Sequence, residues 1–578
     1  MTDLERGEGS NHQLSNESNS SSETDFDPEQ ILSPIVSLEV RHKYEEAGIP
    51  LTITKSRTDA ADDQEFLQRV LTEKSISEQI VGGPGAGQID GRPLPAFGKN
   101  KSYPPLLPDR EKYVVEWDGI EDPDYPHNFP LKKKIKIMSI LGFVTTTAAW
   151  GSSIFSTATE IVALKFHVSN VVAILAMSLY VLGFASGPLL WAPFSELSGR
   201  RRPLIIGSFL FAVFNMAVAR AEDLQTIFIC RFFAGFGGAA PLTVVPATFS
   251  DIFGNRGRGT ALVIFCAAVF AGPLIAPVVG GFISYSYLGW RWTEYLTSIM
   301  GFFGFALTVL FIEETYAPVL LIEKAEKLRI ATGNWGIHAR QEQISLDFKE
   351  LIENNFSRPI KMLVTEPILL LITIYTAFVY GILYLLLEAY PIIFYEGYHM
   401  KVQVSMLPYI GMVVGQLIGC GIVLAFEPRT LRLIIANGGR PVPEARLVPT
   451  MVGGVLLPIG MFWLTWTGAY PHSVHWAAPA VSGIFIGSGI ILIFLTSITY
   501  LVESYLIFAA SAIAANTMLR SGFGAGFPLF ATAMFHNLGV QWAGTLLGCI
   551  GILLAPVPML FYIYGKRLRK VSKYAPNL

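Results

Sequence analysis

An all-α, polytopic membrane fold is predicted by three features of this chain. From Leu131 onward it carries twelve apolar segments, each close to the ~20 residues that cross a bilayer as a helix. Lysines and arginines collect in alternate loops between them. Prolines and glycines recur inside the apolar runs, which a membrane helix tolerates when neighbouring helices repack the freed backbone groups. The predicted arrangement is two six-helix bundles behind a disordered N-terminal tail. Of 578 residues, 51% are hydrophobic and 15% charged, and the net charge of -2 leaves no basic surface for a nucleic acid. The four cysteines, Cys230, Cys266, Cys420 and Cys549, lie in apolar segments and read as small packing residues rather than metal ligands.

Residues 1–130 form the predicted tail: polar, serine-rich, cytosolic and open to kinases. Residues 131–314 form the first bundle and 366–565 the second. Between them, 315–365 is a cytosolic linker whose Leu320-to-Arg329 stretch reads as an amphipathic surface helix. Residues 566–578 are a basic cytosolic end. Lys132 to Lys134, Arg200 to Arg202, Arg429 and Arg432, and Lys566 to Lys570 mark one membrane face, so both termini are expected in the cytosol.

The loop after the second span reads Glu196-Leu-Ser-Gly199-Arg200, and Asp251 ends the fourth span. A charge network among Glu196, Arg200 and Asp251 would shut the cytosolic side; the plainer reading is a basic loop that sets topology. Glu444, Arg446 and Glu503 hold corresponding places in the second half. In the fourth span, Arg231 precedes Gly235 by four residues. An arginine facing lipid would cost roughly 3 kcal/mol, so it should face the bundle interior unless it reaches the outer interface. It would tune a neighbouring acid rather than lose its own proton.

Tyr380, Tyr384 and Glu388 share one face of the seventh span at four-residue spacing. A carboxyl shut away from water favours its protonated form, whereas a bound cation favours the ionised form. One such group holds a proton or a cationic cargo in turn, and the tyrosines add aromatic faces. The alternative is an acid at an interfacial tyrosine belt. Trp150 in the first span parallels Tyr380, and Glu160 is either a second cavity acid or a loop-edge charge. Glu313 and Glu314 read as an exposed helix end. The fifth span carries Gly272, Pro273, Pro277, Gly280 and Gly281.

These segments resemble the major facilitator superfamily and, within it, the twelve-span drug:proton antiporters of fungi. The resemblance covers about residues 103–578. It includes Trp117-Asp-Gly-x-x-Asp-Pro, Trp290-Arg-Trp, Glu313-Glu-Thr-Tyr and Asn334-Trp-Gly-Ile-His. It is strongest toward the yeast polyamine exporters that are also multidrug pumps. It implies that the Gly-Pro segment is an antiporter motif, with Ala276 where relatives often have glycine. It further implies export of polyamines (spermidine, spermine, putrescine) and amphipathic drugs such as azoles, driven by protons without a cofactor. The expected setting is the plasma membrane or, failing that, the vacuole, with the pump a monomer in lipid. The competing functions are a proton symporter importing a neutral solute and a transport-dead nutrient sensor. Moving a trivalent amine out against 100 mV costs roughly 7 kcal/mol, so weakly charged drugs are the easier cargo.

Overall fold

The computed structural model describes residues 96–97, 101–102, 114–118, 122–253, 255–332, 337–343, 348–437, 442–505 and 508–575. The first bundle contains α1 (Leu131–Ser153), α2 (Asn170–Ser198), α3 (Arg201–Arg220), α4 (Leu224–Ile252), α5 (Asn255–Ser284) and α6 (Arg291–Phe311). The linker contributes α7 (Ala317–Thr332) and α8 (Phe348–Thr365). The second bundle contains α9 (Pro367–Pro391), α10 (Tyr409–Ala436), α11 (Leu447–Gly468), α12 (Ala477–Tyr505), α13 (Ala509–Leu538), α14 (Val540–Leu554) and α15 (Pro556–Val571). A two-residue strand pair, Ala96–Phe97 with Lys101–Ser102, lies ahead of the membrane region.

Among the described residues, 11 helical segments are both long and apolar enough to cross a membrane. α13 completes the set of twelve: its 30 residues span about 45 Å, although Asn516, Arg520 and His536 make it more polar. Asn516 and Arg520 are hosted because α13 packs inward against α9 and α2, whereas His536 is exposed near the helix end, 2.9 Å from Glu396. The last span is α14 and α15 together, joined at Pro556.

The turns have local causes. Gly199 (φ 86°) and Gly539 (φ 79°) end α2 and α13 in the left-handed region that glycine enters without strain. Asp223 caps α4, its carboxylate accepting from the Thr226 N–H at 2.7 Å. Helices of the first bundle approach nearly backbone to backbone. A side chain at Gly272 of α5 would stand 2.5 Å from the Trp150 nitrogen of α1. One at Gly235 of α4 would collide with the Tyr180 carbonyl of α2. α5 continues through Pro273 and Pro277, and Ala276 between them is fully buried against Trp150 and Ile154. The extra methyl at position 276 is therefore a packing atom of the α1–α5 seam.

The bundles meet chiefly where α13 packs on α2 and α10 on α5. Gln416 of α10 donates to the Ala267 carbonyl of α5 at 2.6 Å, and Met406 lies against Gly281.

The tail predicted for 1–130 falls largely outside the described residues, as do its serines up to Ser77. Its described end is ordered, which corrects the expected boundary. Val115 donates to the His338 carbonyl at 2.9 Å, and Lys324 of α7 pairs with Asp118 at 3.0 Å and Asp122 at 3.3 Å. Arg329, almost fully buried, pairs with Glu342 at 2.9 Å. The Trp117 and His338 segments thus form one clasp between the chain ahead of α1 and the linker.

Candidate functional site

Two charge networks occupy the basic end of the helices. In the first bundle the Arg200 Nε donates to Asp251 Oδ2 at 2.8 Å, and its Nη1 donates to Ser195. The Tyr316 ring lies 4.4 Å from the guanidinium carbon. In the second bundle the Arg446 Nε donates to Glu503 Oε1 at the same 2.8 Å, and its Nη1 to Glu427 Oε2 at 2.6 Å. The two halves repeat one arginine–carboxylate lock, α4 holding one acid and α12 the other.

Two residues expected in these locks lie elsewhere. Glu196 is exposed and forms no ion pair among the described residues; its carbonyl accepts from Gln341 at 3.2 Å. Its carboxyl, one turn before Arg200, lies within electrostatic reach of the guanidinium without bonding to it. Glu444 pairs at 2.8 Å with Arg569 of α15, because the 443–446 turn directs it to the last helix rather than to Arg446. Glu314 is not merely an exposed end. It accepts from the N–H groups of Arg200 at 2.8 Å and Arg201 at 3.1 Å, capping α3 across the loop.

Deeper in the first bundle, Arg231 and Glu294 form an ion pair at 3.3 Å with neither side chain exposed. The Arg231 Nη1 also donates to the Gly151 carbonyl at 2.9 Å, and its guanidinium lies 4.6 Å from Tyr180 and 4.9 Å from Phe155. Arg231 Nε and Nη2 and Glu294 Oε2 are buried with no hydrogen-bond partner among the described residues. Arg231 therefore faces inward, and the acid beside it is Glu294 of α6. Sequence reasoning missed Glu294, although an acid one turn into an apolar helix was the available signal.

Between the bundles lies a packed aromatic cluster, the candidate chamber. Tyr384 of α9 donates to Ser152 of α1 at 2.8 Å, and the Tyr380 and Tyr384 hydroxyls are 3.3 Å apart. Phe270 of α5 lies 4.5 Å from Phe494 of α12 and 6.3 Å from Tyr380, ring centre to ring centre. Arg520 of α13 closes this group. Trp150 is buried alongside and donates to Thr297 at 3.2 Å.

Glu388 is 8% exposed, one turn beyond Tyr384 on the face that meets α1. Its Oε1 is buried without a hydrogen-bond partner among the described residues. Tyr409 of α10 is close enough to feel its charge. Glu160, by contrast, is exposed near the end opposite the locks, accepting from the Tyr285 hydroxyl at 3.2 Å. It follows the 3-10 turn that closes α1, which carries it past the chamber.

Comparison with known proteins places this architecture. Multidrug transporter TPO1_2 of Candida glabrata is 47% identical over 536 residues, covering 93% of this chain and 92% of the relative. The major facilitator superfamily multidrug transporter FLU1 of Candida albicans is 50% identical over 485 residues, covering 84% of this chain and 80% of the relative. The xylose transporter XylE from E. coli, in a partially occluded inward open conformation, shares the fold. Its TM-score is 0.52 at 17% identity, over 74% of this chain and 99% of that one. The family model described as Major Facilitator Superfamily matches residues 141–527, which contain both locks and both buried acids. With two six-helix bundles, a repeated lock and that match together, the chain belongs to the major facilitator superfamily of membrane transporters.

Proposed function

We propose that this protein is a proton-coupled exporter of amphipathic aromatic drugs, azoles among them, working by alternating access in the plasma membrane with both termini in the cytosol. The observation that carries the reading is Glu388: a buried carboxyl whose Oε1 has no hydrogen-bond partner among the described residues, next to tyrosines that join the two bundles. One carboxyl holds a proton or engages a cargo but not both, so protonation and loading exclude each other. Arg231–Glu294 supplies a second buried acid in the other bundle. The locks at Arg200 and Arg446 would hold the cytosolic side closed while the chamber faces out, and break as it opens inward. The Gly272 seam keeps α5 tight on α1, so the first bundle moves as a body. Relatives named as multidrug transporters support the cargo class.

Polyamine export is the second reading, favoured by Glu388 as a site for an ammonium group. The test is an efflux assay in a pump-deficient yeast expressing wild type, Glu388→Gln and Arg231→Ala. Wild type is expected to lower azole accumulation, and both variants to lose that effect at matched expression. Accumulation that rises as the medium is acidified would instead identify a symporter and overturn the reading.

A further inference from the structure

We infer that Arg520 is the charge-selective residue of the inter-bundle chamber: it receives the anionic or hydrogen-bond-accepting end of an aromatic cargo and turns polycations away. The inference rests on the export reading and narrows its cargo class.

Arg520 lies 11 residues into α13, about 17 Å along a helix crossing a core of about 30 Å. Its guanidinium carbon is 4.7 Å from the Phe494 ring and 5.2 Å from the Tyr380 ring. Its Nε is buried with no hydrogen-bond partner among the described residues. The contrast with the protein's other inward arginines is the key. Arg200, Arg231, Arg446 and Arg569 each meet a carboxylate. Arg520 forms no ion pair among the described residues. Its neighbours one turn away cannot supply one. Asn516 is taken up by Thr376, to which it donates at 2.7 Å, and Gly524 leaves only the space that the Tyr380 ring fills. The groups that act on it electrostatically are Tyr380, Tyr384 and Cys266, none of them a carboxylate. Glu388 lies two turns beyond Tyr380 along α9, about 12 Å of helix rise away from it.

An arginine at this depth requires compensation. Aromatic faces contribute part of it, and no counter-charge completes it. A flat cargo that parts the Phe270, Phe494 and Tyr380 rings as the bundles separate, and presents a carboxylate or a ring nitrogen as acceptor, would satisfy the free Nε. A polyamine in the same chamber would place its ammonium groups against a fixed positive charge that never deprotonates.

The test measures equilibrium binding to the full-length protein in nanodiscs with three probes: 2-naphthoate, fluconazole and spermidine. In wild type, naphthoate and fluconazole bind and compete, and spermidine does not displace them. Arg520→Gln is expected to weaken naphthoate at least tenfold, to weaken fluconazole less because the amide still donates to a ring nitrogen, and to admit spermidine. A size-exclusion profile and inactivation temperature matching wild type show that this variant is folded. Arg520→Lys, keeping the charge, continues to exclude spermidine. Unchanged naphthoate affinity in Arg520→Gln, or displacement of naphthoate by spermidine in wild type, overturns the inference. Binding needs neither a proton gradient nor a direction. Lost selectivity with export intact therefore sinks the subsite alone, whereas lost vectorial transport sinks the export reading.

Discussion

Neutralising Glu294 perturbs the most enclosed charge pair among the described residues. In Glu294→Gln the amide keeps an acceptor for Arg231, but the negative charge is gone. At 3.3 Å, with an effective dielectric near 20, the lost attraction is about 5 kcal/mol. The amide oxygen of the variant still accepts from Arg231, a hydrogen bond to a charged group that offsets about 2 kcal/mol. The net loss expected is about 3 kcal/mol, in line with one-sided removal of a buried pair. The double variant Arg231→Met with Glu294→Met leaves no orphan charge and should regain at least half of that loss. The assay is a mutant cycle of thermal inactivation in detergent, followed by size-exclusion fluorescence, together with drug efflux for each member. Stability should recover in the double variant while efflux stays absent. If Glu294→Gln is as stable as wild type, or the double variant is no better than the singles, the pair is not the coupled unit described.

Further outcomes follow from the same geometry. Glu388→Gln should cost under about 1 kcal/mol in stability, since no hydrogen bond of Oε1 is lost, yet reduce proton-driven efflux at least tenfold; a stable variant with full efflux would remove Glu388 from the cycle. Gly272→Val would drive a side chain into the Trp150 nitrogen and the Thr146 carbonyl, at 2.5 and 2.8 Å. That should destabilise the first bundle by about 1–3 kcal/mol or more, read as a lower inactivation temperature. The N–H groups of Asp118 and Asp124, with Lys324, hold the Asp122 carboxyl below its ordinary 3.8. A depressed pKa contributes stability that is present above 3.8 and lost as pH falls through the lowered value. The clasp is thus at full strength at neutral pH, and Asp122→Asn should speed hydrogen exchange in residues 122–130 and in α7. Unchanged exchange there would argue against the clasp.

Much of the architecture was legible because a bilayer demands apolar helices of a set length, and basic loops report their ends. The locks at Arg200–Asp251 and Arg446–Glu503 were legible for the same reason: charges confined to one end of the helices have few partners within reach. The interior was harder. Helical spacing places Tyr380, Tyr384 and Glu388 on one face, but it does not say which helix they meet; the Tyr384–Ser152 bond joins different bundles. Arg231's inward orientation followed from the cost of exposing it to lipid, whereas its partner on α6 depended on packing. Glu444 illustrates the limit: its partner, Arg569, lies in the final helix, which the sequence marked only as a basic end. Glu160 shows the converse, an acid in an apolar context that a short turn carries out to the surface.

The most direct measurement is proton movement in proteoliposomes carrying an entrapped pH dye, with azole added under an imposed pH gradient. The account predicts that azole triggers a proton flux opposite to its own movement in wild type, and no cargo-dependent flux in Glu388→Gln. Azole transport with no accompanying proton flux, or with protons moving in the same direction as the drug, would contradict it.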